Sequence, residues 1–388
     1  MRVNAFGRVV GGLVVGVLVV GGLVGSSAGA VPVASPAEVA PAGAGVVAQP
    51  AIDNITLHIQ PGAGYRPITD FIGAARRTLD YNIYQFNDET IADALIAAHR
   101  RGVKVRVMFT WQVFPAGSNQ WNPASPYYNT NMPTYYRLRA AGVKVRLSPY
   151  RYTYSHEKTM VADGSTREGR ALIMDFNAQP SYIVPTPGLL GTRGFAITTG
   201  NQFDVHEIQR VFDADWNRLT PPAYASPRLV WSPSGVGYQP PSQGKQRIFE
   251  VIDGARRSVD VYALLLDYLS FQKRLMAAAE RGVRVRVITN SEPSPMTSGQ
   301  AMALTDAGVE IRVDPTYPAG PIFVHSKAII RDAGSASAVA FVGSQNPGDN
   351  VSTNSERELG ILIGNPGVIE RMHRVFVSDW VRTRPGDP

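Results

Sequence analysis

The chain has 388 residues, with 38 Lys and Arg against 31 Asp and Glu for a formal charge of +7, and no cysteine. That length excludes a small stapled scaffold and suits two or three folding units, while 44% hydrophobic and 18% charged residues exclude a largely disordered chain. The lack of Cys removes disulfides, thiolate nucleophiles, Cys-ligated zinc, iron–sulfur clusters and the acyl-anchoring Cys of a lipoprotein, so any chemistry must come from other side chains.

Residues 1–30 read as a secretory signal peptide: Arg2 and Arg8, an apolar Gly-rich run from Val9 to Gly25, then the small triplet Ala28-Gly29-Ala30. The apolar run falls short of the roughly 20 residues that span a bilayer. Cleavage is expected after Ala30, which lowers the formal charge from +7 to about +5 and leaves a secreted protein. That charge suits anionic headgroups or nucleic acid and distinguishes neither. Residues 31–51, rich in Ala, Pro, Val and Gly, read as a flexible lead-in.

From there the sequence repeats once. Ala75-Arg76-Arg77-Thr78-Leu79-Asp80 matches Ala255-Arg256-Arg257-Ser258-Val259-Asp260, and Arg101 to Val107 matches Arg281 to Val287, both 180 positions apart. Ala141 to Arg146 matches Ala307 to Arg312 at 166, and Arg210 to Trp216 matches Arg374 to Trp380 at 164. The expected halves are 52–222 and 223–388. In each, a helix precedes a strand. Ile91, Ala94, Leu95 and Ala98 space a helix that stops at Arg101-Gly102, and Val103 to Met108 then alternates as a strand. Phe271 to Arg281 and Val283 to Thr289 repeat the order. The expected class is α/β, with a mixed or parallel sheet flanked by helices in each half.

Between Trp111 and Tyr135 the first half carries an aromatic, Pro-rich loop with Trp111, Trp121, Tyr127, Tyr128, Tyr135 and, just beyond, Tyr136. It reads either as a packed surface loop or as one wall of a substrate cleft, suited to a membrane interface or to base stacking. His58, His99, His206 and His373 read as ordinary core or surface residues.

Two histidines occupy equivalent places. His156-Glu157-Lys158 with Asp163, and His325-Ser326-Lys327 with Asp332, both read H-x-K-x-x-x-x-D. On a strand the His and Lys share a face and the Asp falls on the opposite one, where it can hold structure behind the site. This twinned pattern resembles the phospholipase D superfamily from about residue 55 to about 382. Gly343-Ser344-Gln345-Asn346 and Asn354-Ser355-Glu356 are similar to the G-S-x-N and N-x-E elements of that family.

The resemblance implies a phospholipase D-like fold of two homologous halves with pseudo-twofold symmetry and a site at their interface. It implies catalytic His156, His325, Lys158, Lys327, Asp163 and Asp332, with Asn177, Asn346, Ser344 and Glu356 binding or orienting the phosphate. The physical logic agrees: the lysines neutralise the non-bridging oxygens, the asparagines add neutral donors, one imidazole attacks phosphorus and the other protonates the leaving oxygen. By resemblance His156 is the nucleophile and His325 the acid and base. No cofactor and no metal are expected, since the sequence shows no clustered ligand set. The first half departs from the family pattern: Met174-Asp175-Phe176-Asn177 stands opposite Gly343-Ser344-Gln345-Asn346, and Thr192 stands opposite Glu356. The carboxylate for His156 is therefore not at its expected place, with Asp175 and Asp204 as substitutes.

The expected activity is a secreted phosphodiesterase hydrolysing or transphosphatidylating phospholipid headgroup esters at a membrane surface through a phosphohistidine, with water or an alcohol as acceptor. The alternatives are an extracellular nuclease and a non-catalytic binding module. A monomer without an obligate protein partner is expected.

Overall fold

The computed structural model describes residues 54–385 apart from 116, 121, 185–190, 234–243, 292–296, 318–319 and 349. The leader and lead-in expected over residues 1–51 lie outside the described residues, as does Trp121.

The first half runs β1 (Ile55–Gln60), α1 (Arg66–Gly73), β2 (Thr78–Ile83), α2 (Glu89–Arg100), β3 (Lys104–Phe109), α3 (Met132–Ala140), β4 (Lys144–Leu147), β5 (Lys158–Ala162), β6 (Arg170–Met174), α4 (Pro180–Ile183), β7 (Gly191–Thr199) and α5 (Gln202–Trp216). The second runs β8 (Leu229–Ser232), α6 (Gly244–Asp253), β9 (Ser258–Ala263), α7 (Leu269–Glu280), β10 (Arg284–Thr289), α8 (Ser298–Asp306), β11 (Val309–Val313), β12 (Thr316–Tyr317), β13 (Gly320–Val324), β14 (Lys327–Arg331), β15 (Val339–Gly343), α9 (Asn350–Asn354), β16 (Glu358–Ile363), α10 (Pro366–Trp380) and β17 (Arg384–Pro385).

The helix–strand repeat found in the sequence lies within two residues of these bounds. Asp88 starts α2 by accepting the Ile91 N–H at 2.9 Å, and Ile91, Leu95 and Ala98 are buried along one stripe. Gly102 and Gly282 end α2 and α7 with φ of 93° and 82°, a left-handed conformation that costs any residue with a Cβ.

Each half builds a mixed sheet. Strands β2, β3 and β4 are parallel, and β5, β6 and β7 continue antiparallel; β9, β10 and β11 are parallel, and β14, β15, β16 and β8 continue antiparallel. The boundary expected at residue 223 does not confine the strands. Strand β13 of the second half pairs in parallel with β7, so among the described residues the first sheet has nine strands and includes β12 and β13.

Between the sheets, one buried cluster draws on both halves, including Val161, Ile173 and Ile197 with Ile330, Val342, Ile361 and Phe376. A shared core of this kind makes the halves one folding unit. The repeat extends to buried polar groups. Arg106 pairs with Asp80 at 2.6 Å, and Arg286 with Asp260 at 2.7 Å. Gln209 donates to Asp80 at 2.8 Å, and at the corresponding place His373 Nδ1 lies 2.9 Å from Asp260. His373 is thus a structural histidine, and His58, 3.0 Å from the Thr198 hydroxyl, is another.

Candidate active site

Lys158 begins β5 and Lys327 begins β14, with His156 and His325 two residues ahead of each strand. Both strands enter from the junction of the halves, and the contacts that fix them cross it. The His156 and Glu157 amides both donate to the Arg357 carbonyl at 2.9 Å, and the Arg357 amide donates to the Tyr154 carbonyl at 2.9 Å. The His325 amide donates to the Arg193 carbonyl at 3.2 Å.

The carboxylate for His156 comes from the second half. His156 Nδ1 lies 3.0 Å from Glu358 Oε2 and 3.8 Å from Glu356 Oε2. Glu356 is close, but Glu358, the first residue of β16, is the hydrogen-bonded partner. The Ser352 hydroxyl donates to the other Glu358 oxygen. With Nδ1–H donated to Glu358, the Nε2 lone pair of a neutral imidazole is left to attack.

Glu358 had a legible signal, since Glu356-Arg357-Glu358 alternates and positions two apart on a strand share a face. Arg357 faces the opposite way. It is 1% exposed, donates to Asp215 of α5 at 2.7 Å, to the Tyr224 hydroxyl at 2.8 Å and to the Ser232 carbonyl at 3.0 Å, and also reaches the Tyr152 hydroxyl.

The 164-residue offset locates what the first half lacks. Arg193 is the counterpart of Arg357 and Asp379 that of Asp215, and Arg193 pairs with Asp379 at 2.7 Å across the halves. Such reciprocity is what a pseudo-twofold arrangement requires. The counterpart of Glu358 is then Gly194. A Cβ at Gly194 would lie 2.9 Å from Asp175 Oδ1 and 2.6 Å from Phe176 Cδ1, so the Asp175 carboxylate occupies the space a side chain there would need.

Asp175, offered as a substitute partner for His156, serves the other histidine instead. Its carbonyl lies 2.9 Å from His325 Nδ1, and its carboxylate accepts the Ser326 hydroxyl at 2.6 Å and the Phe195 amide at 2.8 Å. Asp204 is removed from both histidines, tied to Ser226 and Arg228.

Lys158 donates to the His156 carbonyl and lies 5.1 Å from the centre of the Tyr84 ring. Lys327 donates to the His325 carbonyl at 2.7 Å and stands 3.2 Å from His325 Nδ1. Tyrosine rings wall both histidines edge-on, Tyr84 at 4.6 Å from His156 and Tyr182 at 4.7 Å from His325. Ser344 bonds the backbone of Leu359 at 3.2 Å and so supports β16. Asn177 donates to Gln85 at 2.9 Å, and the Asn346 amide N–H donates to Ser352 at 3.1 Å. The buried Oδ1 atoms of Asn177 and Asn346 have no hydrogen-bond partner among the described residues.

Burial is the largest influence on every titrating group here. It lowers His156 to about 4 against the pull of Glu358, and it lowers His325 well below the usual histidine range with Lys327, Lys158 and His156 adding repulsion. Both imidazoles are therefore neutral near pH 7. Burial also brings Lys158 down to about 7 and Lys327 to about 8. Burial opposes ionisation of Glu358, yet His156 and Lys158 hold its carboxyl at about 2. Asp175 is pushed up to about 6 by burial, restrained by Ser326 and Lys327.

Asp163 and Asp332 are not part of this constellation. Seven positions along a strand is roughly 23 Å, and both carboxylates accept main-chain amides at the far end: Asp163 from Arg76, Arg77 and Thr78 at 2.6 to 2.9 Å, Asp332 from Arg256, Arg257 and Ser258 at 2.7 to 3.2 Å. They join the start of β2 to β5 and of β9 to β14, and the catalytic assignment from the motif is corrected to a structural one. The absence of a clustered ligand set in the sequence is also revised. Folding brings His156, Glu356 and Glu358 together with one donor atom each within 4.8 Å. His156 Nδ1 and both Glu358 oxygens are already engaged in hydrogen bonds, and the ammonium groups of Lys158 and Lys327 act electrostatically on Glu358 and Glu356.

The comparisons agree with this geometry. The family model described as "Cardiolipin synthase, PLD-like domain" matches residues 68–178 and 248–380, more than half of the chain. Phospholipase D Z of Dictyostelium discoideum is 28% identical over 149 residues, which is 38% of this chain and 31% of that protein. The chain thus covers less than a third of this curated relative. Among solved structures, phosphatidylserine synthase of Haemophilus influenzae superposes with a TM-score of 0.63 at 13% identity, covering 86% of this chain and 87% of its own. Polyphosphate kinase of Porphyromonas gingivalis superposes with 0.62 at 16% identity over 83% of this chain and 50% of its own. At these identities the structural likeness speaks for the fold. With two equivalent His–Lys sets facing one junction and a matching family model across both halves, the chain belongs to the phospholipase D superfamily of phosphodiester-acting proteins.

Proposed function

We propose that the protein is an exported phospholipase D that cleaves or exchanges the headgroup ester of a phospholipid through a phosphohistidine. The observation that supports this most is the unequal support of the two histidines. Glu358 orients and polarises His156, which suits a nucleophile, whereas His325 is held by a carbonyl and crowded by Lys327, which suits a group that passes protons.

The steps follow from that. The anionic phosphodiester draws a proton onto His325 as it binds; His156 Nε2 then forms a bond to phosphorus as the bond to the headgroup oxygen breaks, and the His325 imidazolium gives that oxygen its proton. His325 then takes a proton from water or an alcohol, whose oxygen displaces His156 from phosphorus, and both imidazoles return to their starting states. Lys158 and Lys327 hold the non-bridging oxygens throughout. The phospholipid reading also draws on phospholipase D Z and phosphatidylserine synthase as relatives, and export rests on the leader pattern of residues 1–30.

The experiment is incubation of the mature protein with phosphatidylcholine vesicles, with choline release measured. Release is expected, and with ethanol present phosphatidylethanol as well. No release from any phospholipid, together with plasmid degradation in EDTA, overturns the lipid reading in favour of a nuclease.

A second outcome tests the charge states. His325 is neutral when the site is empty, and Lys158 near 7 is partly so; an anion beside them favours their charged forms. Binding of sulfate, whose own charge is fixed near neutrality, is therefore expected to take up protons and to tighten as pH falls from 8 to 6. Calorimetry in buffers of different ionisation enthalpy counts the protons, and His325→Ala should reduce the number.

A further inference from the structure

The loop between β3 and α3 carries a surface that catalysis does not use. Tyr135 packs against Phe109 at 5.6 Å and Tyr127 joins the cluster of Tyr84, Val113 and Tyr154, so neither is a free contact surface. Phe114, by contrast, is 74% accessible. Its backbone is fixed: the Phe114 amide donates to the Tyr84 hydroxyl at 2.8 Å, and the Tyr84 ring is the one standing on His156. Phe114 thus projects from the rim of the site, one tyrosine ring from the proposed nucleophile.

Phe114 does not stand alone. Trp111, three residues before it, is anchored by Nε1–H to the Tyr152 carbonyl at 2.7 Å and meets the Tyr150 ring at 5.2 Å. Tyr150 is 61% exposed, and the Arg218 guanidinium lies 5.0 Å from its ring centre. The next residue, Leu219, is again 61% exposed. Trp111 thus links Phe114, three residues along the chain, to the exposed Tyr150 and Leu219 with Arg218 between them, and together these side chains make up an apolar ridge with one arginine along it. Exposed aromatic and aliphatic side chains so placed lose free energy in water and mark a binding surface.

We propose that this ridge seats the protein on a lipid bilayer, with Phe114 and Leu219 entering the boundary between headgroups and acyl chains, Tyr150 at the headgroup level and Arg218 against anionic headgroups. The chemistry favours lipid over nucleic acid: Leu219 has no ring to stack on a base, and one arginine is not the cationic track that follows a phosphate backbone. Acyl chains accept Phe and Leu equally, and interfacial Tyr and Arg suit the polar boundary, as does the positive formal charge. The Phe114 end of the ridge is held by the Tyr84 hydroxyl, so docking would turn the His156 side of the molecule toward the membrane.

This inference rests on the phospholipid reading, and the test separates the two. The full mature chain and its Phe114→Ser, Leu219→Ser double variant are compared on vesicles of phosphatidylcholine and phosphatidylglycerol, by co-sedimentation and by turnover, and on a short-chain phosphatidylcholine below its micellar concentration. Removing two inserted apolar side chains is expected to weaken sedimentation about tenfold or more and to lower vesicle turnover in parallel, with monomer turnover unchanged. Vesicle binding equal to wild type overturns the ridge, and so does equal loss on vesicles and monomer. If neither chain turns over phospholipid, the functional reading falls, and sedimentation still decides the ridge. Loss of single-stranded DNA binding with vesicle binding intact would assign the ridge to nucleic acid instead.

Discussion

His156→Ala and His325→Ala are expected to fail in different ways, and a change of leaving group exposes the difference. On a choline ester, whose leaving alkoxide needs a proton, both variants should lose at least about 10³-fold in kcat, the scale of removing a nucleophile or a general acid. On a p-nitrophenyl phosphodiester the leaving group departs without help. There His325→Ala should still transfer the phosphoryl group to His156 and release one equivalent of nitrophenolate in a burst, after which turnover stalls because no base activates water. His156→Ala should give no burst. Stopped-flow absorbance at the nitrophenolate band measures this directly, and acid-quenched peptide mapping locates the phosphate. A burst from His156→Ala with label on His325 would reverse the roles. Glu358→Gln should behave as a weakened His156, since the amide cannot stabilise the developing imidazolium; Glu356→Gln should cost less, its oxygen being 3.8 Å from the ring rather than 3.0 Å.

The largest effect on stability is expected at Asp215. Asp215→Leu removes the ion-pair partner of the Arg357 guanidinium, 1% exposed, and leaves it tyrosine hydroxyls, a carbonyl and the more distant charge of Glu157. An uncompensated buried charge of this kind costs about 3 to 5 kcal/mol. The double variant Asp215→Leu, Arg357→Met removes both charges and should recover most of that loss, as apolar replacements of buried pairs commonly do. Urea midpoints of the wild type and the two variants measure it; a single variant no less stable than the double would show that the pair is not the anchor of β16. Because Arg357 lies between Glu356 and Glu358, the double variant should keep its fold yet lose part of kcat, as Glu358 gains freedom relative to His156. The equivalent pair, Arg193 with Asp379, should give a similar stability loss with a smaller effect on kcat, because Gly194 carries no catalytic carboxylate.

The sequence by itself determined the duplication, the α/β class and the two His–Lys pairs. Those are local properties: helix periodicity over Ile91 to Ala98, alternation after Gly102, and two side chains sharing one face of a strand are set within a few residues. The offsets also contained more than the motif revealed, because extending the 164-residue spacing by two positions pairs Glu358 with Gly194. Only the tertiary structure decided the partners. Glu358 reaches His156 from 202 positions away and Asp175 reaches His325 from 150, distances over which no periodicity carries information. It also separated the motif aspartates from the chemistry, since a strand carries Asp163 away from His156 to the amides of Arg76, Arg77 and Thr78. Exposure was the last thing left to the fold. Phe114 and Tyr135 are alike as aromatic residues in one segment, and only the fold half-buries Tyr135 against Phe109 and leaves Phe114 at the surface.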